Sequence, residues 1–264
     1  MTVPRSSKQS SVGVCRLCGL TRPLRCSHLL PAALYRLVRE PSARNPNPIV
    51  ISEKRRLQTS HQYRTRLLCE LCERRFDRGG ESWVLARCYR GKNKFRLRDA
   101  LARMPPIHKK DGTSLIAGNA VPEIVVPKLL YFAVSVFWRA AAHTWEGPTG
   151  EAHIELGKYQ EGFRQFLLGK ADFPEQAVMH VSVSTAKDPL SIVGGPQSGI
   201  EPGRYHVHHL FIPGVSFRLF VGKLVPAVMR RACILRSPEN LIYFSDRWDE
   251  MTVRELVRTV GPML

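Results

Sequence analysis

Two pairs of cysteines constrain this chain more than any other feature of its sequence. Cys15 and Cys18 form one CxxC motif, and Cys69 and Cys72 form a second. Each motif brings two thiolates to one metal ion, and two motifs supply the four soft ligands of a tetrahedral structural zinc site. The alternatives are incidental buried cysteines and a redox motif, but a redox motif needs only one pair. We therefore predict one structural zinc ion bound by all four cysteines.

Cysteine usage and hydropathy also indicate where the protein acts. The chain has seven cysteines, an odd number, and four of them lie in the CxxC pairs, which argues against a disulfide framework. Residues 1–12 are polar and lack the apolar stretch of a signal peptide. The longest apolar run, Leu129–Trp138, has about half of the roughly 20 residues that a membrane-spanning helix needs. We expect a cytoplasmic protein without a membrane partner.

The positive charge is confined to one part of the chain. The net charge is +18; residues 1–110 hold 25 Lys and Arg against 7 Asp and Glu, whereas residues 111–264 hold 15 of each. So basic a region attracts polyanions and gains affinity by releasing counterions from phosphates. We predict nucleic acid as the partner, DNA before RNA; the alternative is an acidic partner protein. The predicted phosphate contacts are Arg64, Arg66, Arg74, Arg75, Arg78, Arg87, Arg90, Lys92 and Lys94.

Composition divides the chain into four segments. Residues 1–12 are predicted to be a disordered tail, and residues 13–110 a basic four-cysteine module. Residues 111–126, rich in Pro, Gly and polar residues, are predicted to link this module to a second domain at residues 127–264. The second domain is expected to be α+β with a mostly antiparallel sheet, available for a protein partner or self-association.

Periodicity predicts the elements of the second domain. The apolar pattern favours a buried helix over 127–145, and Gly147 and Pro148 end it. A second helix is predicted over 150–168. Alternating patterns predict strands at 178–184, 205–212 and 216–221, the last two joined at Pro213 and Gly214 as a hairpin. A further hairpin is predicted from 233–236 and 241–245, followed by a helix over 252–260.

Three short motifs of the basic segment resemble those of the HNH nuclease family. They are Cys15-Arg-Leu-Cys18-Gly, Ser27-His28-Leu-Leu-Pro31 and Leu67-Leu68-Cys69-Glu-Leu-Cys72-Glu73. The same front end, CxxC, SHxxP and LLCxxCE, also resembles a group of uncharacterised bacterial proteins. The HNH resemblance implies a zinc-stabilised ββα-metal module of treble-clef type. It also implies that the four cysteines are structural zinc ligands.

The resemblance further implies catalytic roles. In that family the His of the middle motif is the general base that activates water, a position that His28 matches. A divalent cation stabilises the scissile phosphate, and Glu73 and Asp77, four residues apart on a predicted helix, can offer carboxylate oxygens to Mg²⁺. The chain departs from the family pattern at Ser27, where an aspartate often stands, and at Glu73, where a His is expected.

Each of these catalytic roles has a structural alternative. His28 can instead be a zinc ligand or hydrogen-bond the cysteine turn, and Glu73 and Asp77 can pair with neighbouring arginines on a solvated helix face. The leading function is nucleic-acid binding with HNH-like endonuclease activity that hydrolyses phosphodiester bonds. The alternatives are a non-catalytic DNA- or RNA-binding adaptor and a protein-interaction scaffold whose zinc serves only folding.

Overall fold

The structure, a computed structural model, describes residues 11–39, 43–51, 56–199 and 205–260. The strands are β1 (Val12–Val14), β2 (Thr21–His28), β3 (Ile49–Ile51), β4 (Arg56–Gln58), β5 (Arg64–Cys69), β6 (His108–Lys110), β7 (Thr113–Ala117), β8 (Trp145–Gly147), β9 (Gly150–Ala152), β10 (Ala177–Ser184), β11 (Gly194–Gly199), β12 (His206–Ile212), β13 (Val215–Val221) and β14 (Leu241–Ser245). The α-helices are α1 (Ala32–Leu37), α2 (Glu70–Phe76), α3 (Ser82–Leu85), α4 (Arg96–Leu101), α5 (Val126–Ala142), α6 (Gln160–Leu167), α7 (Ala227–Arg231) and α8 (Trp248–Val260). The tail predicted over residues 1–12 lies outside the described residues up to residue 10, and strand β1 begins at residue 12.

A small antiparallel sheet, in the order β1-β2-β5, carries both cysteine pairs. The first pair lies in the turn between β1 and β2, and the second spans the junction of β5 and α2. The register between β2 and β5 shifts between Arg25 and Cys26, so that both of these side chains are exposed and Ser27 is buried. Strands β3 and β4 lie between the two cysteine pairs in the sequence and form a separate antiparallel hairpin.

A seven-stranded sheet, in the order β11-β12-β13-β10-β14-β7-β6, forms the larger layer. All of its neighbouring strands are antiparallel except β10 and β14, which run parallel. Strands β12 and β13 form the predicted hairpin, and Gly214 takes a φ of +75° in its turn. The prediction of an α+β fold with a mostly antiparallel sheet is therefore confirmed.

Helix α5 lies between the large sheet and the elements that carry the cysteines. It is apolar on nearly all sides, as expected for a buried helix. On one side Phe132 packs against Phe217 of the large sheet, with ring centroids 5.6 Å apart. On the other side Trp138 packs edge-on against Phe76 of α2, at 6.2 Å. One hydrophobic core therefore extends from the cysteine pairs to the large sheet.

The segment around the predicted domain boundary takes part in the large sheet. Strand β6 precedes residue 111 and β7 follows it, and both pair at the edge of that sheet. The residues on either side of the boundary thus share one sheet and one core. The division into a module at residues 13–110, a linker at 111–126 and a domain at 127–264 stays a prediction.

Two predicted elements of the second half are wrong. The helix over 150–168 begins only at Gln160, because Gly150 and Gly157 take positive φ angles of +118° and +51° that end regular helix. The predicted strand 233–236 is a turn. In this turn the Cys233 thiol donates to the Arg230 carbonyl oxygen at 3.0 Å, so local bonds replace a strand ladder.

A π-helical turn, Asp77–Glu81, joins α2 to α3, so the Gly79–Gly80 pair does not stop the helix. The two glycines allow α5 to approach closely. A Cβ atom at Gly80 would lie 2.4 Å from the Lys128 carbonyl oxygen, and one at Gly79 would lie 2.3 Å from the Tyr131 ring. Residues of the helix beyond the glycines, including Glu81, therefore reach the buried face of α5.

Candidate metal centre

The four cysteines of the two CxxC pairs converge. The sulfur atoms of Cys15, Cys18, Cys69 and Cys72 all lie within 4.8 Å of one another, and those of Cys18 and Cys69 are 3.9 Å apart. Four thiolates bound to one zinc ion at about 2.3 Å would be separated by about 3.8 Å. The cysteines therefore form one site that can hold a metal ion such as zinc, and this part of the sequence prediction is confirmed.

The backbone around the first pair is folded into a tight turn. The Gly19 amide donates to the Cys15 carbonyl oxygen at 2.8 Å, and the Cys15 amide donates to Leu20 at 3.0 Å. Gly19 has a φ of +76°, a conformation that glycine adopts without strain. The Arg16 amide donates to the Leu67 carbonyl oxygen on β5 at 3.1 Å, which fixes the turn beside the second pair.

Hydrogen bonds favour negative charge on one sulfur of the site. The Cys69 amide donates to the Cys15 sulfur at 3.3 Å. A hydrogen bond from the Cys72 thiol holds the pKa of Cys15 at about 4, and the same bond together with burial raises the pKa of Cys72. Burial is also the main cause that raises the pKa of Cys69. A bound cation would stabilise the thiolate form of the other three cysteines. Metal binding would therefore release their protons.

Glu73, a predicted catalytic residue, is held close to the cysteines by Ser27. The Ser27 hydroxyl donates to the Glu73 carboxylate and accepts a hydrogen bond from the Leu68 amide at 3.2 Å. Burial raises the pKa of Glu73, although the bond from Ser27 and the charge of Arg139 act in the opposite direction. The middle motif of the sequence therefore contacts the helix that follows the second CxxC pair.

His28 lies at the end of β2, directly opposite Arg64 of β5. Burial lowers the pKa of His28, and the charges of Arg64 and Arg139 lower it further. Successive side chains of a strand point to opposite faces, so the His28 ring lies on the face opposite to Ser27. Its backbone carbonyl oxygen accepts a hydrogen bond from Arg139 at 3.0 Å.

Asp77 lies in the exposed part of the π-helical turn, where it accepts a hydrogen bond from the Ser82 hydroxyl. The described residues contain no group of three or more His, Cys, Asp or Glu ligands as close together as the cysteines. His28, Glu73 and Asp77 are therefore not gathered into a second metal centre of that kind.

Arg139 links the two halves of the chain, and the sequence reasoning did not single it out. Its side chain is only 2% exposed, pairs with the carboxylate of Glu81 and lies over the Phe76 ring at 5.3 Å. With its bond to the His28 carbonyl oxygen, it joins α5 to β2 and to the π-helical turn. The signal in the sequence was a single arginine at the end of a long apolar run, which indicates a buried cation with a partner.

A groove of about 620 Å³ lies beside the cysteines on the surface of the small sheet. Arg22, Arg25 and Arg66 line it, and Cys69 forms part of its wall. Glu70 also lines the groove and forms an ion pair with Arg25. The other lining residues are Pro23, Leu24, Cys26 and Leu71.

The predicted phosphate contacts are spread over several elements. Of these residues, Arg66 lines the groove, with Arg64 two residues before it on β5, and all except Arg87 are exposed. Arg74 pairs with Glu70, and Arg75 donates to the Leu168 carbonyl oxygen at 3.0 Å. Arg87 lies over the Trp83 ring at 4.2 Å. Arg78 lies in the π-helical turn, and Arg90, Lys92 and Lys94 lie in the loop before α4.

Comparisons with models of protein families, with curated proteins and with solved structures found no match for this chain. Among the helices of the described ranges, none combines the length and the apolar character needed to cross a membrane.

Proposed function

We propose that this chain is a zinc-stabilised nucleic-acid-binding protein whose basic N-terminal part contacts phosphates. The observation that carries the proposal is the location of the charge. The whole excess of 18 positive charges lies within residues 1–110, the part of the sequence that contains all four cysteines of the site. Basic surfaces of this kind gain affinity for nucleic acids through phosphate contacts, largely independent of base sequence.

The ligand set of the centre favours zinc in a structural role. Four cysteine thiolates form a closed set of soft ligands that leaves no coordination position for a substrate. The order of elements also supports the proposed treble-clef module, because a cysteine turn, paired strands and a helix that begins at the second cysteine pair follow one another. Zinc would hold the arginine-bearing strands β2 and β5 in place.

The composition of the groove supports contact with a nucleic-acid backbone. Three of its nine described lining residues are arginines, and none of the nine is aromatic. Proteins that bind single strands commonly stack bases on aromatic side chains, whereas arginines recognise phosphates. Duplex DNA is therefore the first ligand to test, followed by duplex RNA.

The test is fluorescence anisotropy with a labelled DNA duplex at several salt concentrations. We expect binding at low salt. The logarithm of the association constant should fall linearly with the logarithm of the salt concentration. If the protein binds neither the DNA duplex nor the RNA duplex at low salt, the nucleic-acid proposal is wrong. The protein-interaction scaffold, with a zinc that serves only folding, then remains.

Endonuclease activity is the second candidate, favoured by the hydrogen bond between Ser27 and Glu73. This bond holds Glu73 against the strand that carries His28, with the His28 ring on the opposite face of that strand. In this candidate His28 is the general base and Glu73 and Asp77 hold a hard cation such as Mg²⁺.

Nicking of plasmid DNA with and without added Mg²⁺ tests this candidate. We expect His28→Ala to abolish nicking while the zinc content is retained. The control His61→Ala, which changes an exposed histidine, should leave nicking intact. Binding of DNA without any nicking would favour the non-catalytic adaptor instead.

A further inference from the structure

Helix α6, more than 140 residues after the first cysteine pair in sequence, contacts the turn that holds this pair. Arg164 Nη1 donates to the Leu17 carbonyl oxygen at 2.6 Å. Leu17 lies between Cys15 and Cys18, and its own side chain is fully buried. A side chain from the second half of the chain therefore fixes the peptide that sets the spacing of two sulfur ligands.

The guanidinium group of Arg164 is itself held in place. Arg164 Nε and Nη2 each donate to one carboxylate oxygen of Glu161, both at 2.7 Å. Gln165 donates to the same carboxylate at 2.6 Å. A paired fork of this kind gives the arginine a defined orientation, which leaves Nη1 directed at the Leu17 carbonyl oxygen.

The charge of Arg164 also suits the centre. Four thiolates and one zinc ion carry a net charge of about −2, so a nearby cation stabilises the loaded site. The hydrogen bond to Glu161 is the main cause that raises the pKa of Arg164, and the charge of Cys18 acts in the same direction. The Leu17 carbonyl oxygen that Arg164 contacts belongs to the residue directly before Cys18, so the guanidinium group lies close to a ligand residue.

We propose that Arg164 is a positioning residue of the metal centre and that it raises the affinity for zinc through the Leu17 carbonyl group and its own charge. The second half of the chain then contributes to a centre whose four ligands all lie in the first half. The proposal rests on the zinc centre of the proposed function and is independent of nucleic-acid binding.

The experiment measures the zinc dissociation constant of the full chain by competition with a chromophoric chelator. We expect Arg164→Ala to weaken zinc binding by about 10–100-fold, the range found when groups that orient metal ligands are removed. Arg164→Lys keeps the charge without the fork and should recover part of the affinity. Lys158→Ala removes an exposed cation just before α6 and should leave the affinity unchanged.

A spectroscopic measurement separates positioning from general stability. In the cadmium-substituted protein, Arg164→Ala should shift the cadmium NMR signal, because the hydrogen bonding of the cysteine turn changes, whereas Lys158→Ala should not. A folded Arg164→Ala variant with wild-type affinity and an unshifted signal would overturn the proposal.

Glu161→Gln keeps Arg164 but weakens the fork, and it serves as the second variant if Arg164→Ala does not fold. We expect a smaller loss of zinc affinity from it, and wild-type affinity would overturn the proposal. A wild-type chain that binds no zinc would instead refute the zinc centre of the proposed function, and this proposal with it.

Discussion

Ser27 of β2 donates a hydrogen bond to Glu73 of α2, across 46 positions of sequence. The same hydroxyl accepts from the backbone of β5, so one small side chain connects the three elements that surround the cysteine site. Ser27 is 1% exposed, and Glu73 is partly buried. The Ser27 hydroxyl therefore supplies a hydrogen bond to a carboxylate that is partly shielded from water.

Replacement of Ser27 by alanine should destabilise the protein. A buried polar group that loses its partner costs about 1–3 kcal/mol; the Leu68 amide would lose the Ser27 hydroxyl as acceptor, and the partly buried Glu73 would lose the bond that this hydroxyl donates. Urea unfolding measures the change, with the exposed Ser60→Ala as the matched control. Equal stabilities of the Ser27→Ala and Ser60→Ala variants would contradict the buried hydrogen bond.

Removal of one sulfur ligand should release the metal. We expect Cys69→Ser to lower the zinc content per chain and to destabilise the fold, because the binding free energy of a structural zinc is also folding free energy. A loss of about 5 kcal/mol would lower the thermal midpoint by about 10–20 °C. Cys26→Ser changes an exposed cysteine outside the group and should retain the zinc. Equal zinc contents in the two variants would argue against the four-cysteine site.

Arginines of β5 should set the salt dependence of DNA binding. Each phosphate contact adds about 0.9 to the slope of log affinity against log salt, so Arg66→Gln should reduce the slope by about that amount. Arg64→Gln tests the neighbouring position on β5. Arg103→Gln removes an equal charge from an exposed ion pair with Glu123 and should leave the slope unchanged. The same slope in all three variants would place the contacts elsewhere.

The stability of the fold should decrease in acid because of His208. Burial lowers the pKa of His208 from 6.5 to about 4, with a smaller effect of His206 in the same direction. Above pH 6.5 the histidine is neutral in both states; as the pH falls towards 4, only the unfolded state takes up the proton. The contribution of His208 to stability is therefore lost in this window, by about 3 kcal/mol at pH 4.

Urea unfolding at several pH values checks this window. The stability difference between the wild type and His208→Gln should shrink as the pH falls from 6.5 to 4, because the variant has no group to protonate there. His108→Gln, at an exposed position, should keep a constant difference from the wild type. A constant difference for His208→Gln would show that its pKa is not lowered by folding.

Local patterns in the sequence were sufficient for the features that depend on neighbouring residues. The CxxC spacing predicted the metal site, and alternation with Pro213-Gly214 predicted the hairpin of β12 and β13. The parallel pairing of β10 with β14 and the place of β6 and β7 at the sheet edge could not be predicted. These arrangements depend on packing between distant segments, for which composition and periodicity carry no signal.

For the same reason, the sequence did not predict which residues of the second half contact the cysteine-bearing elements. Arg139 and Arg164 belong to helices α5 and α6, and neither lies near a cysteine in sequence. Besides their carboxylate partners, they contact the backbone carbonyl groups of His28 and Leu17, and every residue carries such an acceptor. Side-chain patterns cannot identify a partner of this kind.

The 50 residues between Cys18 and Cys69 have a consequence for how this chain can change in length. With metal bound they form a closed loop, and the entropy of closing a flexible loop grows only with the logarithm of its size. Doubling the loop would cost about 0.6 kcal/mol, much less than the loss of one ligand. Insertions near the hairpin of β3 and β4 should therefore be tolerated, whereas one added residue between Cys15 and Cys18 would alter the spacing of two ligands. Length variation in related chains is expected to accumulate inside this loop and to spare both cysteine turns.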